Sequence, residues 1–345
     1  MIRQIKIGNR MVGDNHPPLV IAEVGINHNG NLKTAMRMVD AAKKAGAECI
    51  KFQYHIPDKE MIMNNTIPGN AKESIWKIIK KNHLSEHEEE KLFHYVKKKK
   101  LIYLSTPFSK EAAIKLFNLG VDAFKIGSGE CNNYPLIDFI SSFKKPIILS
   151  TGMNNYEMIK RATKIIKKNN CKFSLLHCVS SYPTNYKDLY LKNITFLRKK
   201  FKDIPIGLSD HSLGIHASLA SITLGSSIIE KHFTFSKKII GPDIPISILP
   251  DQLKDLIIQS QDIFLANETN NLAILKEEKK TIHFAYSSVV SIKDIHKNEK
   301  FSLNNIWVKR PGTGNFLAKD LNKVIGKKAK NFIPSNKQIK FRDLK

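Results

Sequence analysis

Eight short apolar runs in this sequence stop on polar or charged residues. The endings are Glu23; Lys51 with Gln53; Ser105 with Thr106; Lys125; Ser150; His177; Ser209 with His211; and Glu230 with His232. A buried polar group costs free energy unless it is partnered. One such ending reads as an ordinary loop start, whereas eight together imply a polar pocket. Side chains alternate along a strand. Lys51 therefore shares a face with Gln53, Ser209 with His211, and Glu230 with His232. If those faces point inward, two lysines and two histidines converge.

His211 and His232 are the strongest metal candidates. Either one alone reads as a satisfied core histidine. As a pair at the ends of the last two strands, with water completing the shell, they suit a divalent transition metal. Asp210 or Glu230 is placed to orient one of the rings. His28, in a glycine-rich loop, is a weaker ligand candidate, and His177 reads as structural. Lys51 and Lys125 put charge where a core resists it. They form ion pairs with Glu23 or Glu130, or they clamp a phosphate or carboxylate with the Gly127-Ser128-Gly129 turn. A Schiff-base lysine is a third reading. Spacing alone leaves the three open.

Converging strand ends require a parallel sheet. The apolar runs fall at 19–24, 47–53, 101–105, 123–127, 146–150, 173–177, 205–209 and 226–232, with helix-period segments between them. Asn31 is placed to cap a helix carrying Leu32, Ala35, Met36, Val39 and Ala42, and Gly46 suits its C-terminal turn. Met158, Ile159, Ala162, Ile165 and Ile166 mark a later helix, and Leu191, Ile194, Leu197 and Phe201 another. Eight such units predict an α/β fold, a (β/α)₈ barrel, with catalytic groups at the strands' C-terminal ends. A doubly wound open sheet is the alternative. Residues 54–100 break the rhythm and read as an insertion on the active-site face. After a charged linker at 277–280 the pattern becomes β-rich, with turns at Pro311-Gly312 and Gly314. The expected domains are 1–280, the barrel, and 281–345, a small second domain.

The composition is that of a globular protein: 42% hydrophobic and 25% charged in 345 residues. No run approaches the roughly 18 apolar residues of a membrane helix, and the first ten residues lack a signal-peptide core. A cytoplasmic location is expected. Cys49, Cys131, Cys171 and Cys178 form no C-x-x-C pair and read as reduced and buried. The net charge is +25, and residues 281–345 alone hold 14 basic against 4 acidic groups. That excess suits an anionic substrate. A polyanion-binding protein built on an inert barrel is the non-enzymatic alternative, but it leaves the strand-end charges without a role. Nucleic-acid binding is not expected, because the lysine runs lack interleaved aromatics.

Several segments together resemble the sialic acid synthase family. They are IAEVGINHNGN, AGAECIKFQ, STPFS, FKIGSGECNNYPL, ILSTGMN, LLHC with SYPT, GLSDHS, IEKHFT and GPD, then SVVSIKDI and NIWVKRPGTG in the tail. The resemblance spans nearly the whole chain. It implies condensation of phosphoenolpyruvate with an N-acetylated amino sugar to a nine-carbon ulosonic acid. It also implies a barrel followed by an antifreeze-like (SAF) domain, a domain-swapped homodimer and a divalent metal, typically manganese. By resemblance His211 and His232 hold the metal, and Glu23 serves the water beside it. Lys51, Lys125, Ser128, Ser150 and Ser209 clamp phosphoenolpyruvate. Gln53, Tyr182, Asp243 and Phe284 line the amino-sugar site, Glu130 and Ser180 are further substrate-binding candidates, and Arg310 reaches the N-acetyl group from the partner subunit.

Three departures fall near the amino-sugar pocket. Ser180 stands where the N-acetylneuraminate-forming branch has asparagine, KFQYH replaces a KHQTH-like run, and Lys238-Ile239-Ile240 precedes GPD without an arginine. N-acetylmannosamine is the expected sugar. A legionaminate or pseudaminate synthase, using a di-N-acetylated hexose, is the alternative. A Schiff-base aldolase cleaving such acids fits the two strand-end histidines less well.

Overall fold

A computed structural model describes residues 3–69, 71–269 and 271–345. The chain forms two compact units, Met1–Thr269 and Asn270–Lys345.

The first unit opens with an antiparallel hairpin of β1, Gln4–Ile7, and β2, Arg10–Gly13. Then come β3 (Leu19–Gly25), β4 (Cys49–Tyr54), β5 (Ile102–Pro107), β6 (Phe124–Ile126), β7 (Ile147–Ser150), β8 (Phe173–Cys178), β9 (Ile206–Asp210) and β10 (Ile228–His232). These eight form one sheet in the order β5-β4-β3-β10-β9-β8-β7-β6, with parallel pairing. The terminal strands β5 and β6 lie against each other. The sheet is thus a nearly closed (β/α)₈ barrel, not an open doubly wound sheet.

Local sequence sets the helices that wrap it. Asn31 accepts from Thr34 N at 2.9 Å and starts the helix Leu32–Lys44. Ser85 and Glu88 form a capping box that starts Glu86–Lys98. The apolar stripes of these helices pack on the outward residues of the strands, such as Val20, Ile50, Tyr103 and Ile229. The inward residues at the strand starts form a separate apolar layer of Leu19, Ile21, Cys49, Leu104, Ile148, Leu176 and Ile228. Ile5, Ile7 and Val12 of the hairpin join that layer and close the lower end of the barrel. Each buried side chain there is worth about 1.5–3 kcal/mol over exposure.

Between β4 and the helix Glu86–Lys98 the inserted segment forms two helices, Pro57–Glu60 and Ile75–Asn82. All four cysteines are buried and unpaired. Among the described residues no helix is long and apolar enough to cross a membrane.

The second unit starts with the helix Glu278–Ala285, followed by β11 (Ser288–Ser291) and β12 (Ile306–Lys309), paired antiparallel. Its own core holds Val289, Ile295, Phe301, Ile306, Phe316, Val324 and Ile339.

Candidate active site

Strand parity places one layer of polar side chains above the apolar floor. In register, His232 pairs with Glu23, Glu23 with Lys51, Gln53 with Thr106, Glu230 with Ser209, and Cys178 with Ser209. Glu23, Lys51, Thr106, Lys125, Ser150, Ser209, His211, Glu230 and His232 are all buried.

Two lysines and two carboxylates form its centre. Lys51 Nζ lies 2.8 Å from Glu23 Oε2 and 3.8 Å from Glu230 Oε2. Lys125 Nζ donates to Ser150 Oγ at 2.8 Å and lies 3.7 Å from Glu230 Oε1, which also accepts from Ser209 Oγ at 3.0 Å. Burial works against both carboxylates, but Glu230 sits between two ammonium groups, which hold its pKa below the usual value. Glu23 has one close lysine and feels the charge of Glu230. Burial therefore prevails and raises its pKa to about 7. Burial opposes the charge on both lysines. Glu23 and Glu230 outweigh it at Lys51, whose pKa rises, whereas the Lys125 pKa falls.

The histidines lie beside this cluster, with ring centroids 5.4 Å apart. His211 Nδ1–H donates to the Val179 carbonyl at 2.9 Å, which leaves Nε2 for a ligand. Burial, and then the neighbouring His211, pushes the His232 pKa far down, so that ring is neutral. Its Nδ1 has no hydrogen-bond partner among the described residues and lies 3.9 Å from Asp243 Oδ2. Burial raises the Asp243 pKa to about 6. Tyr182 stacks on His211 at 4.2 Å between centroids. Among the described residues no three His, Cys, Asp or Glu side chains are gathered as a ready metal cage. Two imidazoles with open positions, one of them carrying an orphaned nitrogen, are a donor set that fits a catalytic divalent ion.

Two glycines keep the mouth open. Gly25, at φ +54°, would put a Cβ within 3.6 Å of Asp243, Glu23 and Gln53. At Gly152 a Cβ would come within 2.8 Å of Ser128 Oγ and closer still to Ser180 Oγ. Gly152 N–H donates to Ser128 Oγ at 3.1 Å.

The geometry corrects several expectations. Asp210 points out of the barrel. It pairs with Lys231 at 3.0 Å and accepts from Ser212 and Ser218, so it orients no imidazole. Nor does Glu230 reach a ring; it is the shared counter-ion of the lysines. The carboxylate near Lys125 is therefore Glu230. Glu130 instead accepts from Asn133 Nδ2 at 2.6 Å. His177 is structural, as expected: it points outward and donates Nε2–H to the Leu189 carbonyl at 2.7 Å, and the inward residue ending that strand is Cys178. Phe284 and Arg310 are exposed residues of the second unit. Arg310 precedes Pro311, whose carbonyl accepts from Ser288 Oγ at 2.7 Å.

Comparison with known proteins gives the family of the chain. Residues 38–271 match the NeuB family and residues 286–345 the SAF domain. The chain belongs to the NeuB family. It is 38% identical to the N,N'-diacetyllegionaminic acid synthase of Campylobacter jejuni, over 86% of this chain and 91% of that one. It is 34% identical to a pseudaminic acid synthase of the same species, over 94% of each. The crystal structure of an N-acetylneuraminic acid synthetase from Leptospira borgpetersenii superposes with a TM-score of 0.75 at 35% identity. That match covers 82% of this chain and 96% of the other. The family is thus one of sialic, legionaminic and pseudaminic acid synthases.

Sequence reasoning missed two parts of this NeuB-family site. Cys178 lies one residue beyond the apolar run 173–177, so that run's ending does not show its inward position. The other part is a buried pair, His55 Nδ1 against Glu60 Oε1 at 2.9 Å, with His55 Nε2–H donating to Gln53 Oε1 at 3.0 Å. Parity extends from Lys51 and Gln53 to His55 and could have found it; nothing local marks Glu60.

Proposed function

We propose that this chain condenses phosphoenolpyruvate with an N-acetylated amino sugar and water, giving a nonulosonic acid and phosphate. One observation carries the reading: a lysine pair and an imidazole pair share one mouth, with Glu23 between them. A phosphorylated carboxylic acid needs the first, and a sugar aldehyde the second.

Lys51 and Lys125 hold the phosphate and carboxylate of phosphoenolpyruvate, with Ser128, Ser150 and Ser209 supplying hydroxyl donors. Gln53, Glu130, Ser180, Tyr182 and Asp243 hold the sugar. A divalent ion on His211 and His232, with manganese the expected one, would supply Lewis acidity at the aldehyde oxygen. The methylene carbon of phosphoenolpyruvate bonds to the aldehyde carbon, whose oxygen takes a proton. The resulting cationic centre adds water, and Glu23 takes the proton released. Its pKa, raised to about 7 by burial, suits that task. Cleavage of the carbon–oxygen bond to phosphate, with the new hydroxyl passing its proton to the departing phosphate, then leaves the ketone. Binding both substrates in one mouth makes carbon–carbon bond formation effectively unimolecular.

We assign Phe284 and Arg310 to the sugar site of a partner subunit in a domain-swapped homodimer. N-acetylmannosamine is the first candidate sugar, supported by the 35% identity to an N-acetylneuraminic acid synthetase. A di-N-acetylated hexose is the second, favoured by the 38% identity to a diacetyllegionaminic acid synthase and by Ser180.

The test is phosphate release from phosphoenolpyruvate with manganese, with and without each sugar. Release that needs a sugar and stops with a chelator supports the reading. Release without sugar, or turnover indifferent to chelation and trapped by borohydride, overturns it.

A further inference from the structure

Parity along β4 runs on past the strand, from Lys51 and Gln53 to His55, and Gln53 ties His55 to the reaction centre. His55 is buried, and its ring stacks on Phe108 with centroids 4.4 Å apart and planes within 11°. Its Nδ1 lies 2.9 and 3.0 Å from the two oxygens of Glu60, and its Nε2 lies 3.0 Å from Gln53 Oε1. Gln53 Nε2 in turn donates to Glu23 Oε1 at 3.3 Å. Four side chains thus form one line, Glu60–His55–Gln53–Glu23.

The direction of each bond in that line follows from the chemistry of its ends. A carboxylate only accepts, so ionised Glu23 faces the amide N–H of Gln53, which turns the Gln53 carbonyl toward His55. A carbonyl also only accepts, so His55 Nε2 carries a proton. Glu60 takes the same kind of donor from Nδ1. With both ring nitrogens protonated, His55 is an imidazolium whose charge Glu60 balances. A neutral His55 would keep its single proton at Nδ1, against Glu60. Its Nε2 lone pair would then oppose the Gln53 carbonyl, and the amide would turn over. That turn aims the carbonyl at Glu23, where two acceptors repel each other. Two other titratable groups feel the pair. Burial and then the His55 charge push the His28 pKa down to about 4, and burial, with Glu60 adding to it, raises that of Glu130.

Glu23 is the group that takes a proton from the attacking water. Lys51 lies against one of its oxygens and the Gln53 N–H against the other, so its carboxylate plane is held at both ends. We propose that His55, charged and anchored by Glu60, is a positioning residue for the condensation. It locks the Gln53 amide with its N–H toward Glu23 and so holds that carboxylate for its work on water. The proposal rests on the condensation reading above and adds to it a residue that acts through Gln53.

The test has two arms, both on the full-length chain. The first needs no turnover. With the histidine rings labelled with nitrogen-15, the signals lost in His55→Phe should show both ring nitrogens protonated in the native chain at neutral pH. Glu60→Gln still accepts from Nδ1 and should leave only one of them protonated. A native His55 with a single ring proton overturns the proposal. The second arm is phosphate release. Glu60→Gln, and His55→Phe with an aromatic ring kept against Phe108, should each lower kcat about 10–10²-fold. The KM for phosphoenolpyruvate should stay unchanged, because Lys51 and Lys125 remain in place. In a Gln53→Ala background His55→Phe should cost no more than about twofold, since the residue it acts through is gone. Losses that simply multiply, or a raised KM for phosphoenolpyruvate with kcat unchanged, overturn the positioning role and leave the condensation standing. A native chain that releases no phosphate with any amino sugar overturns the condensation reading and the role with it, while the ring signals alone decide the imidazolium.

Discussion

β9 and β10 bury charge on both of their faces, and the two faces are built to different rules. On the outer face Asp210 and Lys231 are fully buried and nearly saturated. Asp210 takes the Lys231 ammonium, the Ser212 amide and hydroxyl, and the Ser218 hydroxyl, while Lys231 also donates to the Ser212 carbonyl. On the inner face Glu230 Oε2 and His232 Nδ1 have no hydrogen-bond partner among the described residues. Unmet hydrogen-bonding capacity is costly in a core. On the proposed reading, at the mouth of the barrel it is capacity held for a ligand. Burial alone therefore does not separate structural charge from functional charge; the state of the partners does.

Four measurements would break or sharpen this contrast. Asp210→Asn leaves the Lys231 ammonium buried against a neutral amide. Denaturant unfolding should show a loss of about 3–5 kcal/mol, with turnover per folded molecule unchanged. A loss no larger than that of an exposed substitution would mean that the outer pair is not structural. Lys125→Met should behave oppositely: kcat/KM falls about 10²–10³-fold, with a smaller stability change, because Lys51 still faces Glu230. An active Lys125→Met protein would erase the distinction between the faces.

The third test uses pH. Glu23, at about 7, is protonated on the acid side and cannot take a proton from water. The kcat/KM should fall about tenfold per unit as pH drops below that value, and Glu23→Gln should abolish this limb along with most of the rate.

Glu89 supplies the smallest effect and a third way to bury a carboxylate. It meets no lysine, and burial raises its pKa from 4.5 to about 8, with Tyr103 Oη donating to it at 3.2 Å. The folded state keeps a proton that the unfolded chain releases above 4.5. Stability should therefore fall as pH rises through that window, by about 1.4 kcal/mol per unit at most, and level off above about 8. Glu89→Gln retains an acceptor for Tyr103 and should flatten the decline in urea melts at pH 6 and 7.

Much of this was legible without coordinates. The eight barrel strands could be read because both faces of each are buried, which produces continuous apolar runs such as Leu19–Gly25 and Phe173–Cys178. Parity then placed Lys51, Gln53, His211 and His232 on one side. The N-terminal hairpin was not legible. Its alternation, exposed then buried from Gln4 to Ile7, lasts only four residues, and its apolar face acquires a partner only when the barrel floor exists. The correction at Asp210 follows from parity itself: Ser209 and His211 share the inner face, so Asp210 lies on the outer one, where it meets Lys231 and Ser218 and not an imidazole.

The sequence by itself determined the βα rhythm, the polar strand ends and the residue types available for holding an anion and a metal. These are local properties of period and composition. Only the tertiary structure decided the partners. Glu230 sits between Lys51 and Lys125, which belong to strands distant in the chain, because barrel closure and strand register bring those strand ends together, while Asp243 faces His232 and His55 joins Glu60 to Gln53 within the segments that follow β10 and β4. Register is set by how whole strands pack against one another. No local stretch of this chain encodes which carboxylate will meet which lysine.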